Sequence, residues 1–89
     1  MSAQEPPKIE FPCHYPIKVL GDARVDFIDR VFEIIQVHAP EIDRSKVLTR
    51  DSRKGTFMSV HVVIVATGVD QLRNIHTSLM AYDAVKMVI

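Results

Sequence analysis

The chain has 89 residues, 47% of them hydrophobic, and 11 Lys and Arg balance 11 Asp and Glu for a formal net charge of zero. That length makes one domain with a limited core, and the charge balance argues against a dedicated nucleic-acid binder, which normally carries basic excess. One cysteine, Cys13, excludes an internal disulfide framework and points to a cytoplasmic setting, and no run approaches the ~18 apolar residues of a membrane span.

Residues 1–14 hold Pro6, Pro7 and Pro12 and no apolar stretch of the signal-peptide kind. Proline fixes φ and biases its predecessor to an extended shape. An extended arm over 1–14 is therefore expected, followed by a folded domain over 15–89, with Phe11 tucked against the core.

Tyr15–Leu20 reads as the first strand, closed by Gly21. Gly21-Asp22 is expected to turn the chain, using the positive φ open to glycine, with Asp22 as N-cap of the next helix. That helix is predicted over Arg24–His38, where Phe27, Ile28, Val31, Phe32, Ile34 and Ile35 recur at helical spacing. Asp26 and Arg30 form an i,i+4 pair, and Pro40 ends the helix.

Lys46–Asp51 is a short, charged strand of the edge type. Ser52-Arg53-Lys54-Gly55 is a hairpin loop. Phe57–Ala66 is the longest β-favouring run in the chain. Side chains alternate across a strand, so Met58, Val60, Val62, Ile64 and Ala66 share an apolar face. Phe57, Ser59, His61, Val63 and Val65 share a mixed one. Thr67–Asp70 has the form of a capping box with Asp in place of Glu. The helix that follows runs to Ala81, with Val69, Leu72, Ile75, His76, Leu79 and Met80 as its buried stripe. Ala84–Ile89 is the last strand, with Val85, Met87 and Ile89 on one face and Lys86 and Val88 on the other.

The order β-α-β-β-α-β predicts an α+β ferredoxin-like sandwich. Two helices then cover one face of a four-stranded antiparallel sheet of order 4-1-3-2. The core face gathers Ile17, Val19, Val60, Val62, Ile64, Val85 and Met87. The open face gathers Lys18, Leu20, Ser59, His61, Val63, Val65, Lys86 and Val88.

Several short stretches, in order, resemble one family. They are Phe11-Pro12, Lys18-Val19-Leu20-Gly21, His38-Ala39-Pro40, Ser52-Arg53-Lys54-Gly55 with Ser59-Val60, and the ending from Asp83 to Ile89. Together they resemble the YbeD-like family of small bacterial proteins across Phe11–Ile89. The chain departs from it at Arg53, where the family usually has a second serine, and in a slightly longer segment before the second strand. The resemblance implies a ferredoxin-like fold similar to ACT regulatory domains, which bind amino acids or other small effectors. It also implies a regulatory link to lipoate metabolism.

Two candidate sites follow. Lys18, His61 and Lys86, with Ser59, fall on neighbouring strands of the open face and offer an anion two ammonium groups and a titratable imidazole. Lysines that merely snorkel over a half-wet sheet face explain the same pattern. Gly21-Asp22 sits in the loop that contacts effectors in ACT-like domains, although turn and capping duties also account for it. Leu20, Val63, Val65 and Val88 make the same face an expected surface for self-association or a protein partner. The basic run Arg44, Lys46, Arg50, Arg53 and Lys54 suits phosphate or a charged edge strand equally well.

Catalytic and RNA-binding readings lack their motifs. His14, His38, His61 and His76 have no metal-ligand spacing, and Ser52 and Ser59 have no nucleophile-elbow context. No cofactor is called for. Lys54-Gly55 is followed by Thr56, Phe57 and Met58, without the aromatic register of an RNA-recognition strand. The residues point to a non-catalytic regulatory or partner-binding module. A sensor of amino acids or other small anions is the first alternative, and an RNA binder or cryptic enzyme the second.

Overall fold

The computed structural model describes residues 10–89; the start of the expected arm lies outside them. Two ten-residue strands, β1 (Cys13–Asp22) and β3 (Phe57–Ala66), form the middle of the sheet. They pair antiparallel over their full length, with Ile17 opposite Val62 and Lys18 opposite His61. Short β2 (Leu48–Asp51) flanks β3 and short β4 (Val85–Val88) flanks β1, which gives the order β2-β3-β1-β4. This is the expected 4-1-3-2 arrangement read backwards. Helices α1 (Phe27–His38) and α2 (Val69–Met80) lie on one face. Cys13 and His14 belong to β1 rather than to an arm, and Phe11 packs against the core as expected.

The core forms where strand period and helix period meet. Ile17 and Val19 of β1, and Val60, Val62, Ile64 and Ala66 of β3, point toward the helices and are buried. Above them sit Phe27, Val31 and Ile35 of α1 at i, i+4, i+8, and Ile75 and Leu79 of α2. The predicted stripe of α2 is wider than the real one. His76, Val69 and Met80 are exposed, and Leu72 is half-buried.

The helix starts differ from expectation. Asp22 is the last residue of β1 and four residues short of the N-cap, which is Asp26. Gly21 has no positive φ. It is glycine because a Cβ there would stand 2.3 Å from the Ala84 carbonyl oxygen and 2.4 Å from the Phe27 ring. At α2 the capping partner is Gln71, not Asp70. Its Oε1 accepts the Thr67 backbone N–H at 2.8 Å and the Thr67 hydroxyl at 3.2 Å. Gln71 Nε2 also donates to the His38 carbonyl at 2.8 Å, closing the open end of α1. His38 Nε2 lies 3.0 Å from Ser78 Oγ, a second tie between the helices. The β2–β3 hairpin turns at Gly55, whose φ of 69° suits glycine.

Candidate functional site: the open face of the sheet

The helices leave the other sheet face uncovered within the described residues. Its side chains fall in rows across the strands. One row reads Leu48, His61, Lys18 and Ile89; the next reads Arg50, Ser59, Leu20 and Met87. Ile89 enters the first row through mutual backbone hydrogen bonds with Lys18, at 2.8 and 3.1 Å. Phe57 stands opposite Asp22, Val63 opposite Pro16 and Val65 opposite His14.

This corrects two of the expected site residues. Between Leu20 and Gly21 the β1–β4 register shifts: Leu20 faces Met87, but Gly21 faces Val85. One residue, Lys86, is therefore extra on β4, a β-bulge that inverts the alternation beyond it. Val88 turns to the core side opposite Val19, and Met87 and Ile89 turn to the open face. Lys86 leaves the anion cluster and places Nζ 3.6 Å from Asp22. Asp22 also holds Arg24 at 3.7 Å. Gly21 and Asp22 thus serve strand packing and charge pairing at the corner of the sheet.

Lys18, Ser59 and His61 do come together. Ser59 Oγ lies 3.3 Å from His61 Nε2 and 3.5 Å from the Arg50 carbonyl oxygen, to which it donates. Ser59 is buried, and its hydroxyl lies between the imidazole and the β2 backbone. Lys18 and Arg50 pair with no described carboxylate. The cations of the face stand over an apolar ring. Leu48, Phe57, Val63, Met87 and Ile89 are large hydrophobic residues 47–68% exposed, and all five lie on this one face. Leu20 and Val65 are half-buried among them.

Of these, Leu20, Val63 and Val65 were legible as a patch. Phe57 was read on the same strand face as Val63 and Val65, whereas Leu48, Arg50, Met87 and Ile89 were not assigned to it. The parity of Leu48 and Arg50 was readable in principle, since residues opposite His61 and Ser59 share their face. The inversion at Lys86 left no local sequence signal.

The face is shallow. One hollow of about 200 Å³ lies by Lys18, Leu20, Arg50 and Phe57, and another of about 280 Å³ by Lys18, Leu48, His61 and Ile89. Both fall below the ~300–1,000 Å³ of enclosed small-molecule sites. The groups with shifted titration lie elsewhere. Hydrogen bonds from the Ser45 hydroxyl and amide hold the Asp43 carboxyl below its usual range. The Arg24 guanidinium does the same for Asp83. Among the described residues no group of three or more His, Cys, Asp and Glu side chains is placed to hold a metal ion. No described helix is long and apolar enough to cross a membrane.

Residues 6–89 match the model of the DUF493 family, described as a protein of unknown function. The chain belongs to that family. A UPF0250 protein of Pseudomonas aeruginosa is 58% identical over 86 residues, covering 96% of this chain and 92% of the relative. A UPF0250 protein of Chromobacterium violaceum is 37% identical over 89 residues, covering all of both. The resemblance to a small uncharacterised bacterial family is thereby borne out. The solution structure of protein HP0495 from H. pylori has the same fold, with a TM-score of 0.74 at 15% identity. It covers 100% of this chain and 93% of that one.

Proposed function

We propose that this DUF493 chain is a non-catalytic binding module whose open sheet face docks a protein partner of apolar and acidic character. The observation that carries the reading is the collection of Leu48, Phe57, Val63, Met87 and Ile89 on one face. Contiguous exposed apolar surface rimmed by polar groups marks interaction sites. Lys18 and Arg50, set among these residues and paired with no described carboxylate, supply the complementary half of an ion pair. A regulatory role of the ACT-like kind, and the lipoate link that the family resemblance implies, belong to this proposal.

The experiment is titration of purified lipoate-attaching proteins, and of partners captured from the native cell, against wild type and the Lys18→Glu/Met87→Glu variant. Wild type should bind at low salt and weaken as salt rises. The double variant should lose binding while keeping its melting temperature. A partner that binds both chains equally removes the open face from the account. The sensor reading is tested separately by thermal shift against amino acids, lipoate and nucleotides. Binding to the native state would raise the melting temperature; the shallow hollows lead us to expect no shift.

A further inference from the structure

The fold rebuilds the expected anion cluster with a different third member. Lys86 has left it, and Lys46 takes its place. Lys46 stands in a 3₁₀ turn over Arg44–Lys46, ahead of β2 rather than in it. Lys18 of β1, His61 of β3 and Lys46 of this turn line one hollow of about 280 Å³ on the open face. Leu48, Val63 and Ile89 are among its apolar walls, and no Asp or Glu side chain lines it. Neither ammonium group pairs with a described carboxylate, the Ile89 terminus included. Three elements thus bring three basic groups to one place, and nothing described neutralises them there.

His61 makes the charge of the hollow adjustable. Its Nε2 is engaged by Ser59 Oγ at 3.3 Å, and its Nδ1 has no described partner. An imidazolium donates from both nitrogens, so a proton gained in the neutral to mildly acidic range adds a third cation and a third donor. The ring is half-buried, as is Lys18, which stands opposite it. Arg50 of β2 follows in the next row. Asp43 stands behind Lys46, outside the hollow, where its carboxylate already accepts the Ser45 amide and hydroxyl. From β4 comes Ile89, whose main-chain oxygen takes the Lys18 N–H at 3.1 Å. The helices lie on the opposite face of the sheet and contribute no charge to this one.

We propose that the hollow between Lys18, Lys46 and His61 binds a doubly charged tetrahedral oxyanion of the phosphoryl class, and that His61 takes up a proton as the anion enters. A carboxylate presents two oxygens and one charge. A phosphoryl group presents three oxygens and a charge of about −1.5 to −2 at neutral pH, which matches three basic groups converging from three elements. The hollow is small and open, so it holds a free ion at millimolar strength. That is too weak to raise the melting temperature at the concentrations of a ligand screen. The site shares Lys18 with the docking surface but needs no protein partner, so either can fail without the other.

The test is an NMR titration of the whole chain with sulfate, which keeps its two charges between pH 5.5 and pH 8, at constant ionic strength. Sulfate should move the Lys18 and His61 resonances and bind about fivefold more tightly at pH 5.5 than at pH 8. Lys18→Ala and Lys46→Ala should each weaken binding about threefold or more. Lys54→Ala makes the same charge change on the β2–β3 hairpin and should leave binding nearly unchanged. His61→Gln should bind as wild type does at pH 8 and lose the gain at pH 5.5. Met87→Ala, outside the hollow, should keep sulfate binding while weakening a docked partner. Phenyl phosphate and inorganic phosphate then assign the source. Tighter binding of the ester, with its ring over Leu48 and Val63, points to a phosphoryl group on a larger molecule, and equal binding points to the free ion; both support the site. The proposal is overturned if sulfate moves neither resonance, if Lys54→Ala weakens binding as much as Lys46→Ala, or if acetate binds as tightly as sulfate. It is overturned equally if His61→Gln still gains affinity at pH 5.5. Should His61→Gln fail to melt cooperatively, the comparison of Lys46→Ala with Lys54→Ala, both at exposed positions, decides alone.

Discussion

At Gly21 the absence of a side chain lets three elements meet. The Phe27 ring, the Ala84 carbonyl and the β1 backbone converge where a Cβ would stand 2.3–2.4 Å from the first two. The carbonyl is backbone, and the Asp22 N–H holds it at 2.9 Å, so it cannot swing aside. Gly21→Ala should therefore destabilise the fold by about 3 kcal/mol through overpacking. Gly68 is the matched control. Nothing lies within 4 Å of its would-be Cβ, and its φ of 173° is extended backbone that any residue adopts. Gly68→Ala should stay within about 0.5 kcal/mol of wild type. Urea unfolding checks both: the midpoint should fall for the first, with unchanged slope, and hold for the second. Equal midpoints would remove close packing as the reason for glycine at position 21.

Helix α1 shows how an element divides its residues between core and solvent. Ile35 is fully buried and Val37, two residues on, is 77% exposed. Ile35→Ala should cost about 3–4 kcal/mol, the lost transfer energy plus a cavity beneath the helix. Val37→Ala should change stability by less than about 0.5 kcal/mol. In a domain of this size the first loss lowers the melting point by roughly 15–25 °C, which calorimetry resolves without difficulty. A similar shift for both would mean that α1 is rotated from the orientation described. The stripe Phe27, Val31, Ile35 was legible in the sequence because its period is local. So was the apolar face of β3, and with the element order these sufficed for the topology. What could not be read was set by partners distant in the chain. Asp22 ceased to be an N-cap once Lys86 and Arg24 claimed it. Gln71 displaced Asp70 as capping partner because its amide also reaches the end of α1. The bulge at Lys86 is a property of the β1–β4 ladder, and strict alternation applied to β4 put Met87 and Val88 on the wrong faces. The candidate site was thus half legible: Lys18, Leu20, Ser59, His61, Val63 and Val65 came from the two long strands with unbroken register, and the errors came from the shorter edge strand.

For the whole molecule, zero net charge conceals an uneven surface. The described carboxylates of the sheet corner are held by Arg24 and Lys86, while the open face presents Lys18, Arg50 and His61 among exposed apolar residues. The isoelectric point of about 6.9 puts neutral solution at the pH where net repulsion between molecules is least. Apolar attraction between open faces should then be felt as weak, non-stoichiometric association at high concentration. Light scattering should show this attraction to be strongest near pH 7 and weaker at pH 5 and pH 9. Met87→Lys/Ile89→Lys adds two positive charges and breaks the patch. Val25→Lys/Val37→Lys adds the same charge at exposed positions outside the sheet. If the patch is the source of attraction, the first pair should remove it at every pH. The second should only move its maximum to higher pH, following the raised isoelectric point. Identical behaviour of the two variants would assign the association to net charge alone and leave the open face without a measurable stickiness of its own.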